Sequence, residues 1–164
     1  MEGFIATGRS SWDTDEWTIA GSIRGNPGLN MNQDQNNRDS KSHYVILYVE
    51  DNPANLRLMQ QIIRLREDLE LIHAESGQLA LDMVGNVCPD LILMDINLPD
   101  IDGFSALSML KQKESTQDIP VIAVTANAMP EDVARGKAAG FLDYITKPVE
   151  LDRLFASIDK ALNI

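Results

Sequence analysis

Residues 91–103 decide the fold and read Leu91-Ile92-Leu93-Met94-Asp95-Ile96-Asn97-Leu98-Pro99-Asp100-Ile101-Asp102-Gly103. The first four residues are apolar and turn residues follow them, a pattern typical of a strand buried on both faces of a parallel sheet. Asp95 comes where this strand leaves the sheet. Ligands of open parallel α/β sheets bind outside the carboxyl ends of the strands, so Asp95 either begins a turn or lies at the mouth of a site.

Outward from this segment, the chain alternates between short β-rich apolar runs and stretches of helical periodicity. Strands are predicted at residues 44–49, 70–74, 91–94, 120–124 and 141–145. Helices are predicted over residues 54–66, after Ser76-Gly77, from Gly103, from Pro130 and over residues 151–162, with a break at residues 86–89. Five strand-then-helix units imply an α/β fold, a parallel sheet with helices on both faces.

The first 42 residues differ from the rest of the chain in composition. They are rich in Gly, Ser, Asn, Asp and Gln, and such a segment buries too little apolar area to offset the entropy lost on ordering. Residues 1–42 are therefore predicted to be a disordered or linker-like tail, and residues 43–164 to form the domain. Trp12 and Trp17 are exceptions in this tail. They are equally compatible with a partner-binding motif, the remnant of a larger domain or an artificial addition, and the tail as a whole is predicted to be mostly disordered.

Charge and composition exclude several classes of function. The formal net charge of the 164-residue chain is −11, which argues against direct nucleic-acid binding because phosphate contacts need clustered Lys and Arg. No apolar run approaches the roughly 20 residues that span a bilayer, and the N-terminus lacks the features of a signal peptide. Cys88, the single cysteine, excludes an internal disulfide. These features predict a cytoplasmic protein.

Polar residues with complementary chemistry follow four of the predicted strands. Glu50 and Asp51 follow the first strand, Asp95 the third, Thr125 the fourth and Lys147 the fifth. Carboxylates close together repel one another unless a cation joins them, and oxygen ligands favour a hard cation such as Mg²⁺. A lysine and a hydroxyl beside them are suited to phosphoryl oxygens. The set therefore predicts phosphoryl chemistry on an aspartate, which depends mainly on positioning and charge neutralisation.

From about His43 to Asn163, the sequence resembles the receiver domain of two-component response regulators. The resemblance rests on five motifs in order: Glu50-Asp51, Leu93–Pro99 around Asp95, Asp102-Gly103, Thr125-Ala126 and Lys147-Pro148. It implies a flavodoxin-like, doubly wound five-stranded parallel sheet in the order 2-1-3-4-5 with five helices.

The resemblance also implies roles for individual residues. Asp95 would accept a phosphoryl group from a phosphohistidine of a sensor histidine kinase or a histidine phosphotransfer protein, with Lys147 and Thr125 assisting. Mg²⁺ would be held by Asp51, Asp95 and the backbone carbonyl of Asn97, with Glu50 acting largely through water. The implied switch pair is Thr125 and Tyr144, the Lys147-Pro148 peptide bond would be cis, and helix 4, strand 5 and helix 5 would form a partner or homodimer face.

Three alternatives compete with this interpretation. A flavin-binding protein of the same fold needs a phosphate-binding loop after the first strand, where Glu50-Asp51 would instead repel a phosphate. A small phosphohydrolase with an aspartate nucleophile would usually carry a second Asp where this chain has Asn97. The domain is also compatible with the C-terminal receiver of a hybrid histidine kinase.

Apart from promoting its own phosphorylation and dephosphorylation, the chain is not expected to be an enzyme.

Overall fold

The protein, seen here in a computed structural model, is described for residues 43–126 and 129–164. Five parallel strands form one sheet in the order β2-β1-β3-β4-β5. In chain order the elements are β1 (Tyr44–Val49), α1 (Pro53–Ile63), β2 (Leu69–Ala74), α2 (Gly77–Val87), β3 (Leu91–Met94), α3 (Gly103–Lys111), β4 (Val121–Thr125), α4 (Pro130–Ala139), β5 (Asp143–Thr146) and α5 (Leu151–Leu162). The predicted class and strand order are confirmed.

Two apolar cores lie on opposite faces of the sheet. Helices α1 and α5 cover one face and α2, α3 and α4 cover the other. All four residues of β3 are buried, with exposed fractions of at most 1%. Successive side chains of a strand point to opposite faces, so a strand covered on both sides has to be apolar throughout. This explains why the uninterrupted apolar run predicted the centre of the sheet.

Local signals in the sequence begin most of the helices. Pro53 occupies the first turn of α1, where its missing N–H is not needed, and Asn52 caps that helix by accepting from the Ala54 N–H. Ser76 caps α2 by accepting from the Leu79 N–H. These caps fix where each chain segment turns from the carboxyl end of its strand into a helix.

Several predicted boundaries are wrong by one to three residues. Helix α1 ends at Ile63 rather than at residue 66, and α2 continues through Val87, where Cys88 ends it with a left-handed φ of 49°. Strands β2 and β4 are Leu69–Ala74 and Val121–Thr125. Strand β5 begins at Asp143 rather than at residue 141.

The predicted tail, residues 1–42, lies outside the described residues, so its disorder stays a prediction. Trp12 and Trp17 lie in the same segment. Within the described part of the chain, no helix combines the length and the apolar character needed to cross a bilayer.

Candidate functional site

Asp95 lies immediately after β3, in the middle of the carboxyl edge of the sheet. Its residue is only 6% exposed, and its backbone N–H donates to the Val49 carbonyl at the end of β1. Its Oδ1 accepts the Asn97 N–H at 2.8 Å, and its Oδ2 accepts a hydrogen bond from Lys147 Nζ at 2.5 Å. The carboxylate is therefore held in one orientation at the mouth of the predicted site.

Lys147 brings two of the predicted strand ends together. Its ammonium donates to Glu50 Oε2 at 2.6 Å as well as to Asp95 Oδ2, so one cation joins two carboxylates. Its backbone N–H is bonded to the Thr125 carbonyl, and its peptide bond with Pro148 is cis, as predicted. Burial alone would lower the pKa of Lys147, but the hydrogen bonds to Asp95 and Glu50 outweigh burial and raise the pKa. The side chain therefore stays charged.

Glu50 follows β1 and is 1% exposed. Its Oε1 accepts from the Asn52 N–H at 3.2 Å and from Asn55 Nδ2 at 2.8 Å, and its Oε2 accepts from Tyr48 Oη at 2.6 Å and from Lys147. Burial raises the pKa of a carboxyl group, but the hydrogen bonds from Lys147, Tyr48 and Asn55 outweigh burial and leave the pKa of Glu50 lowered. Glu50 is thus an ionised, buried carboxylate.

The donor set at this edge fits a hard cation. Asp51 is an exposed carboxylate directly after Glu50, and Asn97, two residues after Asp95, offers a backbone carbonyl oxygen. Three carboxylates against one ammonium leave an excess of negative charge, and Mg²⁺ is commonly bound through one or two carboxylates plus water. Among the described residues, no group of three acidic, His or Cys side chains is close enough to hold a metal alone. The site therefore fits Mg²⁺ with main-chain and water ligands.

The predicted switch pair lies on neighbouring strands. Thr125 ends β4 and is 1% exposed, and Tyr144 in β5 is 8% exposed. The centroids of the Tyr144 and Phe141 rings are 6.4 Å apart, with the ring planes nearly perpendicular, and the Tyr144 ring lies against Gly136 of α4. A Cβ added at Gly136 would be 2.7 Å from the Tyr144 ring, so this glycine leaves the space that the ring occupies.

Three residues anchor the loop between β3 and α3. A Cβ at Gly103 would lie 2.7 Å from the Asp95 carbonyl oxygen, so only glycine permits this close approach. Asp102 caps α3 by accepting from the Phe104 and Ser105 N–H groups. Asp100 accepts from the Gly77 and Gln78 N–H groups at the start of α2, at 3.0 and 2.7 Å. These two acids therefore tie the loop to the starts of α2 and α3.

Replacing Asp100 with alanine is expected to lower stability by about 1 kcal/mol at pH 7, because two N–H groups at the start of α2 lose their carboxylate acceptor. Although burial raises the pKa of Asp100, the N–H groups of Gln78, Ile101 and Gly77 hold it at about 2, against an ordinary 3.8. A lowered pKa gives stability that is full above about pH 4 and is lost as the pH falls towards 2. The difference in the free energy of unfolding between the wild type and Asp100→Ala, measured in urea, should therefore become smaller as the pH falls from about 4 to 2. Asp118→Ala, at an exposed turn, is the matched control. A cost that is the same at pH 7 and pH 3 would contradict this role of Asp100.

The structure places the predicted phosphoacceptor, metal-binding and lysine residues at the carboxyl ends of the strands, while Tyr144 of the predicted switch pair lies within β5. Direct hydrogen bonds link Glu50, Lys147 and Asp95, while the side chain of Asp51 makes no hydrogen bond or ion pair to another described residue. Sequence reasoning missed Tyr48 and Asn55, which donate to Glu50. The signal for Tyr48 was its spacing, because residues two apart in a strand face the same side.

Comparison with known proteins agrees with this geometry. Residues 46–159 match the family model of the response regulator receiver domain. The chain is similar to the polar-differentiation response regulator DivK of Brucella ovis, with 41% identity over 117 residues, covering 71% of this chain and 94% of that protein.

Two receivers that belong to kinases are also similar. The signal transduction histidine-protein kinase BarA of Escherichia coli K12 is 40% identical over 117 residues, which are 71% of this chain and 12% of that protein. The receiver domain of sensor histidine kinase PA1611 from Pseudomonas aeruginosa was solved with a magnesium ion in its active-site cleft. It superposes with a TM-score of 0.68 at 31% identity, covering 74% of this chain and 99% of that one.

Proposed function

The chain belongs to the response regulator receiver family, and we propose that Asp95 is the residue that accepts the phosphoryl group. The observation that carries the proposal is the buried Asp95 carboxylate at the end of the central strand, bonded to the Lys147 ammonium. Receiver domains are signalling domains. We therefore also propose that the chain catalyses only its own phosphorylation and dephosphorylation.

The chemistry follows from groups already in place. An oxygen of the Asp95 carboxylate supplies the electron pair to phosphorus, the phosphorus–nitrogen bond of the donor's phosphohistidine breaks, and the imidazole nitrogen keeps that pair. Lys147 lies close enough to exchange its hydrogen bond to Asp95 for one to a phosphoryl oxygen, and it keeps its hydrogen bond to Glu50 during this exchange. Asp51, Asp95 and the Asn97 carbonyl would hold Mg²⁺, with Glu50 acting through water. When bound, this ion would neutralise charge on the phosphoryl oxygens.

Receiver domains interact with histidine kinases or phosphotransfer proteins, and one groove beside the site suits such a partner. It has a volume of about 140 Å³ and lies between α1 and the segment after β5. Leu58, Met59 and Ile62 of α1 line it together with Pro148 and Val149, and Leu58 is 48% exposed. Lys147 lines the same groove, so an apolar partner helix packed here would present its phosphohistidine beside Asp95.

The conformational change on phosphorylation is proposed to involve Thr125 and Tyr144. A phosphoryl group on Asp95 would attract the Thr125 hydroxyl, and Tyr144 would respond by changing its packing against α4. The surface formed by α4, β5 and α5 would then be the partner or homodimer face. The absence of direct nucleic-acid binding stays a prediction from the charge, and the cytoplasmic location stays a prediction from the sequence.

Gly136→Ala tests the packing of Tyr144 against α4. Alanine favours a helix by about 1 kcal/mol over glycine, but overpacking costs about 1–3 kcal/mol, so a net loss of about 1 kcal/mol is expected. Gly85→Ala in α2 is the control, because a Cβ there meets nothing within 4 Å. That change should stabilise by about 0.5–1 kcal/mol in denaturant unfolding. Equal stabilisation by both substitutions would show that Gly136 does not confine the Tyr144 ring.

A receiver within a hybrid histidine kinase is the second candidate for the biological setting. The match to 12% of the BarA length supports it, because that share is one domain of a longer kinase. The chemistry proposed for Asp95 is the same in either setting.

Incubation with acetyl phosphate and Mg²⁺ tests the proposed function. We expect one phosphoryl group per chain, released by hydroxylamine as acyl phosphates are, and no adduct when EDTA is present. Steady multiple turnover of phosphate monoesters without an adduct would instead favour a phosphohydrolase.

A further inference from the structure

Glu50 is held by more hydrogen bonds than any other carboxylate at this edge of the described chain. An ionised carboxylate has about four acceptor positions. Four donors meet Glu50: the Asn52 N–H and Asn55 Nδ2 on Oε1, and Tyr48 Oη and Lys147 Nζ on Oε2. Because Glu50 is only 1% exposed, water has little access to replace any of these donors. The position of Glu50 is therefore set by these four groups.

Tyr48 contributes a donor from inside the apolar core. It is 1% exposed and packs in the core shared with α1 and α5, and its hydroxyl bonds Glu50 Oε2 at 2.6 Å. Burial raises the pKa of Tyr48 above its usual range, and the hydrogen bond to Glu50 and its charge raise it further, so the hydroxyl stays protonated and donates. A phenylalanine would fill the same core volume without this donor.

We propose that Tyr48 is a positioning residue for phosphotransfer, whose hydroxyl fixes Glu50 Oε2 and through it places the Lys147 ammonium beside Asp95. Tyr48 and Lys147 share one oxygen of Glu50, each at 2.6 Å, and Lys147 spans from that oxygen to Asp95 Oδ2. Phosphotransfer needs Lys147 to exchange Asp95 for a phosphoryl oxygen. Without the Tyr48 donor, Lys147 is the only side chain that donates to Oε2. Oε2 then binds the ammonium more tightly and holds it closer to Glu50. This inference rests on the proposed function.

Tyr48→Phe is expected to slow phosphorylation by acetyl phosphate about tenfold, since hydrogen bonds to charged groups contribute free energies of that size. Binding of Mn²⁺, followed by electron paramagnetic resonance as a stand-in for Mg²⁺, should change less than twofold, because Tyr48 bonds none of the proposed direct ligands Asp51, Asp95 and the Asn97 carbonyl, and Glu50 keeps three of its four donors. The nitrogen-15 resonance of the Lys147 ammonium should shift, which the loss of a purely structural hydroxyl would not cause. Tyr44→Phe, at the opposite end of β1, is the matched control and should leave all three measurements unchanged.

Asn55→Ala gives a second test at a half-buried position, because it removes a donor from the other oxygen of Glu50. It should also slow phosphorylation and shift the Lys147 resonance, even if Tyr48→Phe folds poorly. A rate within twofold of wild type in both variants, or an unshifted Lys147 resonance, would overturn the inference. A wild-type chain that gains no phosphoryl group would instead contradict the proposed function, so the two failures are distinguishable.

Discussion

Replacing Asp95 with asparagine is expected to abolish the phosphoryl adduct formed with acetyl phosphate and Mg²⁺. The amide oxygen lacks the negative charge that makes the carboxylate a nucleophile, and the ion pair with Lys147 is lost with that charge. Asparagine keeps the size of the side chain and an oxygen that can accept the Asn97 N–H, so the loop retains its shape. Intact-protein mass spectrometry measures the adduct directly.

Asp102→Asn is the matched control for this substitution. Asp102 lies in the same loop and caps α3, so its replacement tests the loop without removing the proposed acceptor. The control should form the adduct at close to the wild-type rate. An Asp95→Asn protein that gains the adduct as fast as wild type would rule out Asp95 as the acceptor.

Replacing Asp51 with alanine is expected to weaken Mg²⁺ binding at least tenfold, which is about 1.4 kcal/mol. Hard cations depend on charged oxygen ligands, and Asp51 is an exposed carboxylate whose side chain bonds no other described residue. Glu50 is less able to compensate, because four donors already occupy its oxygens. Phosphorylation should become correspondingly slow at millimolar Mg²⁺.

Isothermal titration calorimetry with Mg²⁺ measures this loss, and thermal unfolding checks that Asp51→Ala remains folded. Asp82→Ala, at an exposed position of α2, is the control and should retain the wild-type affinity. Unchanged affinity in Asp51→Ala would mean that the metal is held elsewhere.

The sequence predicted the order of elements well and some of their ends poorly. The predicted start of β5 included Phe141, but the Phe141 N–H bonds the Gly136 carbonyl and so completes the end of α4. An apolar residue after a glycine serves equally well in a helix cap or in a strand, and periodicity does not separate the two. Helix α1 ends early for a related reason: Leu65 extends the apolar pattern, yet it is 66% exposed and packs on no core.

The site was predictable where it depends on topology alone. The carboxyl ends of parallel strands meet at one edge, so the topology alone predicts that Glu50, Asp95 and Lys147 are neighbours. The side-chain pairing was not predictable in the same way. The sequence predicts that Lys147 binds a phosphoryl group, but it does not show that Lys147 joins Glu50 to Asp95, or that Tyr48 reaches Glu50 from the core.

Mapping the modified residue shows whether Asp95 carries the phosphoryl group. The chain is phosphorylated with acetyl phosphate and Mg²⁺, the acyl phosphate is reduced with borohydride to homoserine, and the digested peptides are sequenced by mass spectrometry. We expect homoserine at position 95 and at no other aspartate. Homoserine at Asp51 or Asp100, with Asp95 unmodified, would contradict this expectation.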